Sequence, residues 1–194
     1  MRLLIATRNH HKLREIKSIL DLPGVEIVGV DSIPGLPEVE EDGATFEENA
    51  RKKAVTIAAA SGLLTMADDS GLEVDALGGA PGVYSARYAG EECDDSANNS
   101  KLLRELDGVE DRSARFRCVI ALAYPDGRCM SVDGCCEGRI ATEPRGENGF
   151  GYDPLFIPEG GDRSFAEIGD MEKSRISHRA RALEAARRRW WDDL

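Results

Sequence analysis

Short apolar runs alternate with segments of helical periodicity through the first third of the chain, and that rhythm restricts the fold more than any other feature. Residues 2–6, Arg2-Leu3-Leu4-Ile5-Ala6, read as a short buried strand. Asn9 is placed to cap a following helix whose apolar positions are Leu13, Ile16, Ile19 and Leu20. Pro23-Gly24 stops that helix, and residues 25–28 form a second strand. Thr45 and Glu48 have the spacing of a capping box, opening a helix that runs to about Ser61-Gly62. Residues 63–67 return as a strand that ends in Asp68-Asp69-Ser70-Gly71. Strand, helix, strand, helix, strand predicts an α/β protein.

Later segments add a different pattern. Asp94 or Ser96 opens a helix that continues through Leu106. Residues 114–123 and 129–140 read as long strands around the turn Pro125-Asp126-Gly127, an extended hairpin able to wall a second lobe. Residues 144–154 form a loop rich in glycine and charge. Residues 174–191 are helical, with Ala180, Leu183, Ala186 and Trp190 on one face. The expectation is an α/β mixed sheet with flanking helices.

The chain has 194 residues, enough for one domain or one domain of two lobes. Its longest apolar run, from Cys118 to Tyr124, is far below the roughly 20 residues of a membrane helix, and the N-terminal apolar run is too short for a signal peptide. A net charge of −11 disfavours a duplex nucleic-acid binder, which relies on a basic face. Charge is also segregated: six acids and no base lie between Pro37 and Ala50, whereas Lys173 to Arg189 carries seven bases against Glu184 alone. The five cysteines form no C-x-x-C pair and their number is odd, which suits thiols in a reducing cytoplasm; the adjacent Cys135 and Cys136 are given no role.

Four segments could carry chemistry. Thr7-Arg8-Asn9-His10-His11-Lys12 joins a strand to a helix N-terminus, whose backbone N–H groups and partial positive charge suit phosphate. Read alone it is equally a helix cap with solvated His10 and His11. Glu40-Glu41 and Asp68-Asp69-Ser70 offer hard oxygen ligands suited to Mg²⁺, or else a solvated loop and an Asp turn. In 149–154, Gly149 and Gly151 flank Phe150, a face on which a flat base could stack, while Asp153 has a fixed direction before Pro154; the alternative is aromatics tucked into a core. Lys173, Ser177, His178 and Arg179 could gather donors on one face, or belong to a basic helix that only packs.

Together and in order, these segments resemble the inosine triphosphate pyrophosphatase family, the XTP/dITP diphosphatases that act on non-canonical purine nucleoside triphosphates. The matching stretches are Leu4 to Asn9 with Lys12, Thr45 to Ala50 with Lys53, Ala67 to Leu72, Gly78 to Tyr88, Gly149 to Pro154, and Glu172-Lys173 with Ile176 to Arg179. The resemblance implies one two-lobed domain over residues 1–194, an active site in the cleft between lobes, a cytoplasmic homodimer, and Mg²⁺-dependent release of pyrophosphate. It implies that Thr7, Asn9, Lys12 and Lys53 hold the triphosphate, with Arg8, His10, His11 and Ser70 among the substrate-binding positions. It places Mg²⁺ on Glu41 and Asp69 with Glu40 and Asp68 beside them, and makes Asp69 the base for the attacking water. Phe150 stacks on the purine, and Gly151, Tyr152, Asp153, Lys173, Ser177, His178 and Arg179 shape the base pocket. Arg8 stands where the family often has glycine. Donors such as Lys173 and Arg179 would favour a carbonyl at position six of the purine over the amino group of adenine. A sensor that binds a purine triphosphate without cleaving it is the alternative, and a pyrophosphatase for modified pyrimidines is a third reading.

Overall fold

Asn9 starts the first helix as its sequence promises: its side-chain oxygen accepts from His11 N at 2.9 Å and Lys12 N at 3.1 Å, neutralising donors that a helix N-terminus leaves without partners. In this computed structural model, which describes residues 1–191, that helix is α1 (His10–Ile19). It joins β1 (Arg2–Ile5) to β2 (Glu26–Gly29), which pairs parallel with it. Helix α2 (Phe46–Ser61) begins at Thr45, whose Oγ1 accepts from Glu48 N at 3.1 Å, and ends at Gly62 in the left-handed conformation that glycine adopts without strain. The predicted reciprocal arm differs by one residue: Glu48 accepts from Ala44 N, not Thr45 N.

The third strand corrects the sequence expectation. β3 covers Leu64–Val74, so Asp68-Asp69-Ser70-Gly71 lies inside an 11-residue strand and does not terminate it. Next come α3 (Asp95–Glu105), β4 (Ser113–Ala123) and β5 (Cys129–Ile140), the last two joined by a tight turn in which Tyr124 N donates to Arg128 O. A short strand, β6 (Phe156–Pro158), was not expected; it pairs antiparallel with β5. The C-terminal helix is in fact two. α4 (Phe165–Ile176) starts well before the predicted 174 and is interrupted at Gly169, where φ is +76°, and α5 (His178–Ala186) follows, leading into a π-helical Arg187–Trp191. The six strands hydrogen-bond in the order β2-β1-β3-β4-β5-β6, with β1 parallel to β2 and β3, a mixed sheet with helices in the connections. No helix among the described residues is long and apolar enough to cross a membrane.

The chain forms two compact units. The first comprises Met1–Asp69, Cys118–Gly134 and the residues from Arg179; the second comprises Ser70–Arg117 and Cys135–His178. Each has its own apolar core. In the first, Leu3, Ile5, Ile16, Met66, Ile120 and Leu183 are essentially excluded from solvent, and the predicted face of Ala180, Leu183, Ala186 and Trp190 is buried. In the second, Leu72, Leu102, Leu155 and three phenylalanines dominate. Phe116 meets Phe156 edge-on at 4.7 Å and stacks over Phe165 at 6.0 Å.

Candidate active site

In the first unit, buried charges from four elements meet. Lys12 projects from the first turn of α1, and its Nζ lies 3.3 Å from Asp68 Oδ2. The same carboxylate accepts from Arg179 Nη2 at 3.0 Å and Nε at 3.3 Å, while Arg179 Nη1 donates to Glu15, one turn along α1 from Lys12. Burial works against the Lys12 ammonium, but the charge of Asp68 outweighs it and holds the group above its ordinary value. Burial likewise opposes ionisation of Asp68, yet Lys12, Arg179 and Lys53 hold its carboxyl far below the usual range. Asp68 is an anchored anion.

Its neighbour is different, because successive side chains on a strand point to opposite faces. Lys53, reaching from α2, donates to Glu41 Oε1 at 2.8 Å and to the Asp68 main-chain oxygen at 2.6 Å, and sits 4.0 Å from Asp69 Oδ1. Glu41 is drawn below its usual value: burial raises it, and the charge and hydrogen bond of Lys53 more than reverse that. Asp69 is pushed upward, chiefly by burial, with Glu41 adding repulsion and Lys53 and Lys12 pulling the other way. An uplifted carboxylate is the better proton acceptor. The acidic loop is held against α2 by Gly43, whose N–H donates to Asn49 Oδ1 at 2.7 Å; a Cβ there would lie 2.7 Å from that same oxygen. Lys52 fixes the next acid, Asp42, at 2.5 Å.

Not every expected residue joins this group. Glu40 is exposed and makes no ion pair among the described residues. Arg8 and His11 are exposed, and His10 reaches only Asp31 at 4.0 Å. Thr7 Oγ1 accepts from Asn9 N at 3.1 Å, so the β1–α1 turn is internally bonded. Arg179 was expected beside the base, but its guanidinium is occupied by Asp68 and Glu15. Sequence reasoning also missed Glu15; its only signal was its place one turn after Lys12.

The carboxylates suit a hard divalent cation. Asp68 Oδ1 is buried with no hydrogen-bond partner among the described residues, and Glu41 and Asp69 converge on one ammonium. No group of three or more His, Cys, Asp or Glu able to hold a metal forms among those residues. Mg²⁺ does not need one, since it takes one or two carboxylates plus waters and phosphate oxygens.

In the second unit, 149–153 wraps around the Asp153 carboxylate. Asp153 Oδ2 accepts from Phe150 N at 2.9 Å and from Lys173 Nζ at 2.5 Å; both Asp153 and Lys173 are buried. The Lys173 ammonium lies 4.8 Å from the centre of the half-buried Phe150 ring. Gly149 is required: φ is +78°, and a Cβ there would meet Asp153 Oδ2 at 2.0 Å. Tyr152, Ser177 and His178, expected to shape a pocket, are core residues. The Tyr152 hydroxyl donates to Ser85 O at 2.8 Å, burial pushes its phenol upward, and His178 stacks on Phe116 at 4.6 Å. Ser177 closes α4, its N–H donating to Lys173 O, and Ser70 is half-buried on β3.

The first unit thus carries lysines among carboxylates on a mixed α/β sheet, and the second an aromatic loop beside a buried ammonium. The chain belongs to the Ham1 family, whose profile matches residues 3–189. It is 57% identical over 181 residues to a dITP/XTP pyrophosphatase of Syntrophobacter fumaroxidans, covering 93% of this chain and 78% of the relative. It is 54% identical over 188 residues to a dITP/XTP pyrophosphatase of Desulforamulus reducens, covering 96% and 94%. Among solved structures, the Ham1 protein of Staphylococcus aureus superposes with a TM-score of 0.90 at 41% identity, covering 100% of both chains.

Proposed function

We propose that this chain hydrolyses non-canonical purine nucleoside triphosphates, dITP, XTP and ITP, to the monophosphate and pyrophosphate, with Mg²⁺ as cofactor. The observation that carries this reading is the convergence of Lys12 and Lys53 on Glu41, Asp68 and Asp69, in a chain more than half identical to relatives named dITP/XTP pyrophosphatases. Water attacks the α-phosphorus, its proton passes to Asp69, and the bond to the bridging oxygen breaks so that pyrophosphate leaves with the electron pair. Asp69 is the group suited to that proton, since the carboxylate of its neighbour Asp68 is already committed to Lys12 and Arg179. Lys12 and Lys53 stabilise the charge that grows on the leaving group, and their existing partners hold both ammoniums in place beforehand. Mg²⁺ bound at Glu41 and Asp69 would neutralise phosphate charge. Phe150 offers the surface on which the purine stacks, and Lys173, fixed by Asp153, supplies a donor that favours the six-carbonyl.

The resemblance also carries a homodimer and a cytoplasmic location into this proposal. All five cysteines are thiols among the described residues, in keeping with a reducing compartment. Light scattering should give twice the 21.1 kDa chain mass. The defining assay incubates the protein with dITP, XTP, ITP, GTP and ATP, with Mg²⁺ or with chelator, and identifies the products. Pyrophosphate from the first three, only with Mg²⁺, is the expected result. Orthophosphate as product overturns the reaction, equal use of ATP and ITP overturns the selectivity, and tight binding without turnover would make the chain a sensor.

A further inference from the structure

Helix α3 carries polar side chains that neither the sequence motifs nor the mechanism above uses. Asp95 and Asn99 lie one turn apart on it, and both reach the same residue, Gly151. Gly151 N donates to Asp95 Oδ2 at 2.7 Å, and Asn99 Nδ2 donates to Gly151 O at 2.9 Å. The N–H belongs to the peptide plane shared with Phe150, and the C=O to the plane shared with Tyr152. Gripping both fixes the two torsions of a glycine at φ +62°, the residue type with the widest conformational freedom.

We infer that Asp95 and Asn99 are positioning residues for base selection, fixing Gly151 so that the Phe150 ring is presented in one orientation. This rests on the reading that Phe150 stacks on the purine. Three observations converge on it. Phe150 is held from its other side by the bond of its own N–H to Asp153, so α3 supplies the second fixed point of a short loop. Asp95, Asn99, Phe150 and Gly151 line one cavity of ≈350 Å³, within the size range of small-ligand clefts. Asn99 is also a costly choice for packing: it is 9% exposed, and its Oδ1 is buried with no hydrogen-bond partner among the described residues. An apolar side chain would fill that place more stably, so what the amide adds is its grip on Gly151 O. The preceding residue on the helix acts similarly: Asn98 holds 86–89, accepting from Ala89 N at 2.7 Å and donating to Ala86 O at 2.9 Å.

The test uses Asn99→Asp, which keeps shape but turns a carboxylate toward the Gly151 carbonyl. KM for ITP should rise about tenfold with kcat nearly unchanged, and the ITP-to-ATP ratio of kcat/KM should fall, the signature of lost base positioning. Inhibition by inorganic tripolyphosphate, which carries no base, should stay as in the wild type. Asp95→Ala should follow Asn99→Asp, and Asp95→Asn, which keeps an acceptor for Gly151 N, should restore the wild-type KM. Asn99→Ala replaces Asn99→Asp should the latter fail to fold. The inference is overturned if KM for ITP is unmoved in these variants, or if it rises in step with the tripolyphosphate inhibition constant. Wild-type protein that does not distinguish ITP from ATP would instead overturn the underlying reading.

Discussion

The first unit buries its charges as a lattice, the second around one pair. Glu15, Glu41, Asp68 and Asp69 share Lys12, Lys53 and Arg179, four carboxylates against three cations, and Asp68, Lys53 and Arg179 each touch two opposite charges. In the second unit, Lys173 and Asp153 face each other at 2.5 Å beside aromatic rings, one cation against one carboxylate. The difference teaches what each arrangement is fit for. A lattice with an excess carboxylate can admit a cation and a polyanion and redistribute its contacts. A balanced pair in an apolar shell has no spare carboxylate for a cation; it fixes the loop it closes and holds the Lys173 ammonium in place.

The largest effect should come from Asp69→Asn. Turnover should fall by about a thousandfold or more, as expected when a positioned base is lost. Stability should move the opposite way. Burial raises this carboxyl in the folded chain, so its ionised form opposes folding above that raised value and ceases to do so below the unfolded value. The variant should therefore melt higher than the wild type at pH 7, by a margin that shrinks as pH falls toward 4. A lower Tm at pH 7 would break the contrast between Asp69 and its neighbour.

Lys173→Ala tests the balanced pair. It leaves Asp153 buried without its ammonium, and should cost about 3–5 kcal/mol in urea unfolding as well as raising KM. Asp68→Asn tests the lattice and should cost less, about 1.5–3 kcal/mol, because Arg179 keeps Glu15 and Lys12 remains near Asp69 and Glu41. Its pH dependence follows from a depressed carboxyl. The stability that Asp68 contributes is complete above its unfolded value near 4 and is lost as pH falls through the lower folded value, so the Tm deficit should be full at pH 7 and narrow in acid. Equal losses in the two variants would mean that the lattice has no redundancy. Glu40→Gln should change stability by less than about 0.5 kcal/mol and leave Mg²⁺ dependence intact, since the side chain is exposed.

Periodicity made the first half of the fold legible. β1, α1, β2 and α2 follow from apolar spacing and from caps at Asn9 and Thr45, and the β4–β5 turn from Pro125-Asp126-Gly127. The extent of β3 was hidden because Asp68-Asp69-Ser70-Gly71 has turn composition; its place in a strand depends on Lys12, Lys53 and Arg179, none of them local. β6 is three residues long and ends in proline, too short for a pattern. The onset of α4 was masked by Gly169, which breaks the helical period. For the site, the segments around Lys12, Glu41 and Asp69 could be picked out one by one, whereas Lys53 came only through the family resemblance. That Arg179 pairs with Asp68, 111 residues away, and that α3 grips Gly151 from 56 residues away, are tertiary facts with no local signature.

Hydrolysing ITP in water enriched in ¹⁸O and following the label by mass spectrometry is the most direct test of the proposed cleavage. Attack at the α-phosphorus places the heavy oxygen in inosine monophosphate and leaves the pyrophosphate unlabelled. Label in the pyrophosphate, or in released orthophosphate, would contradict the account.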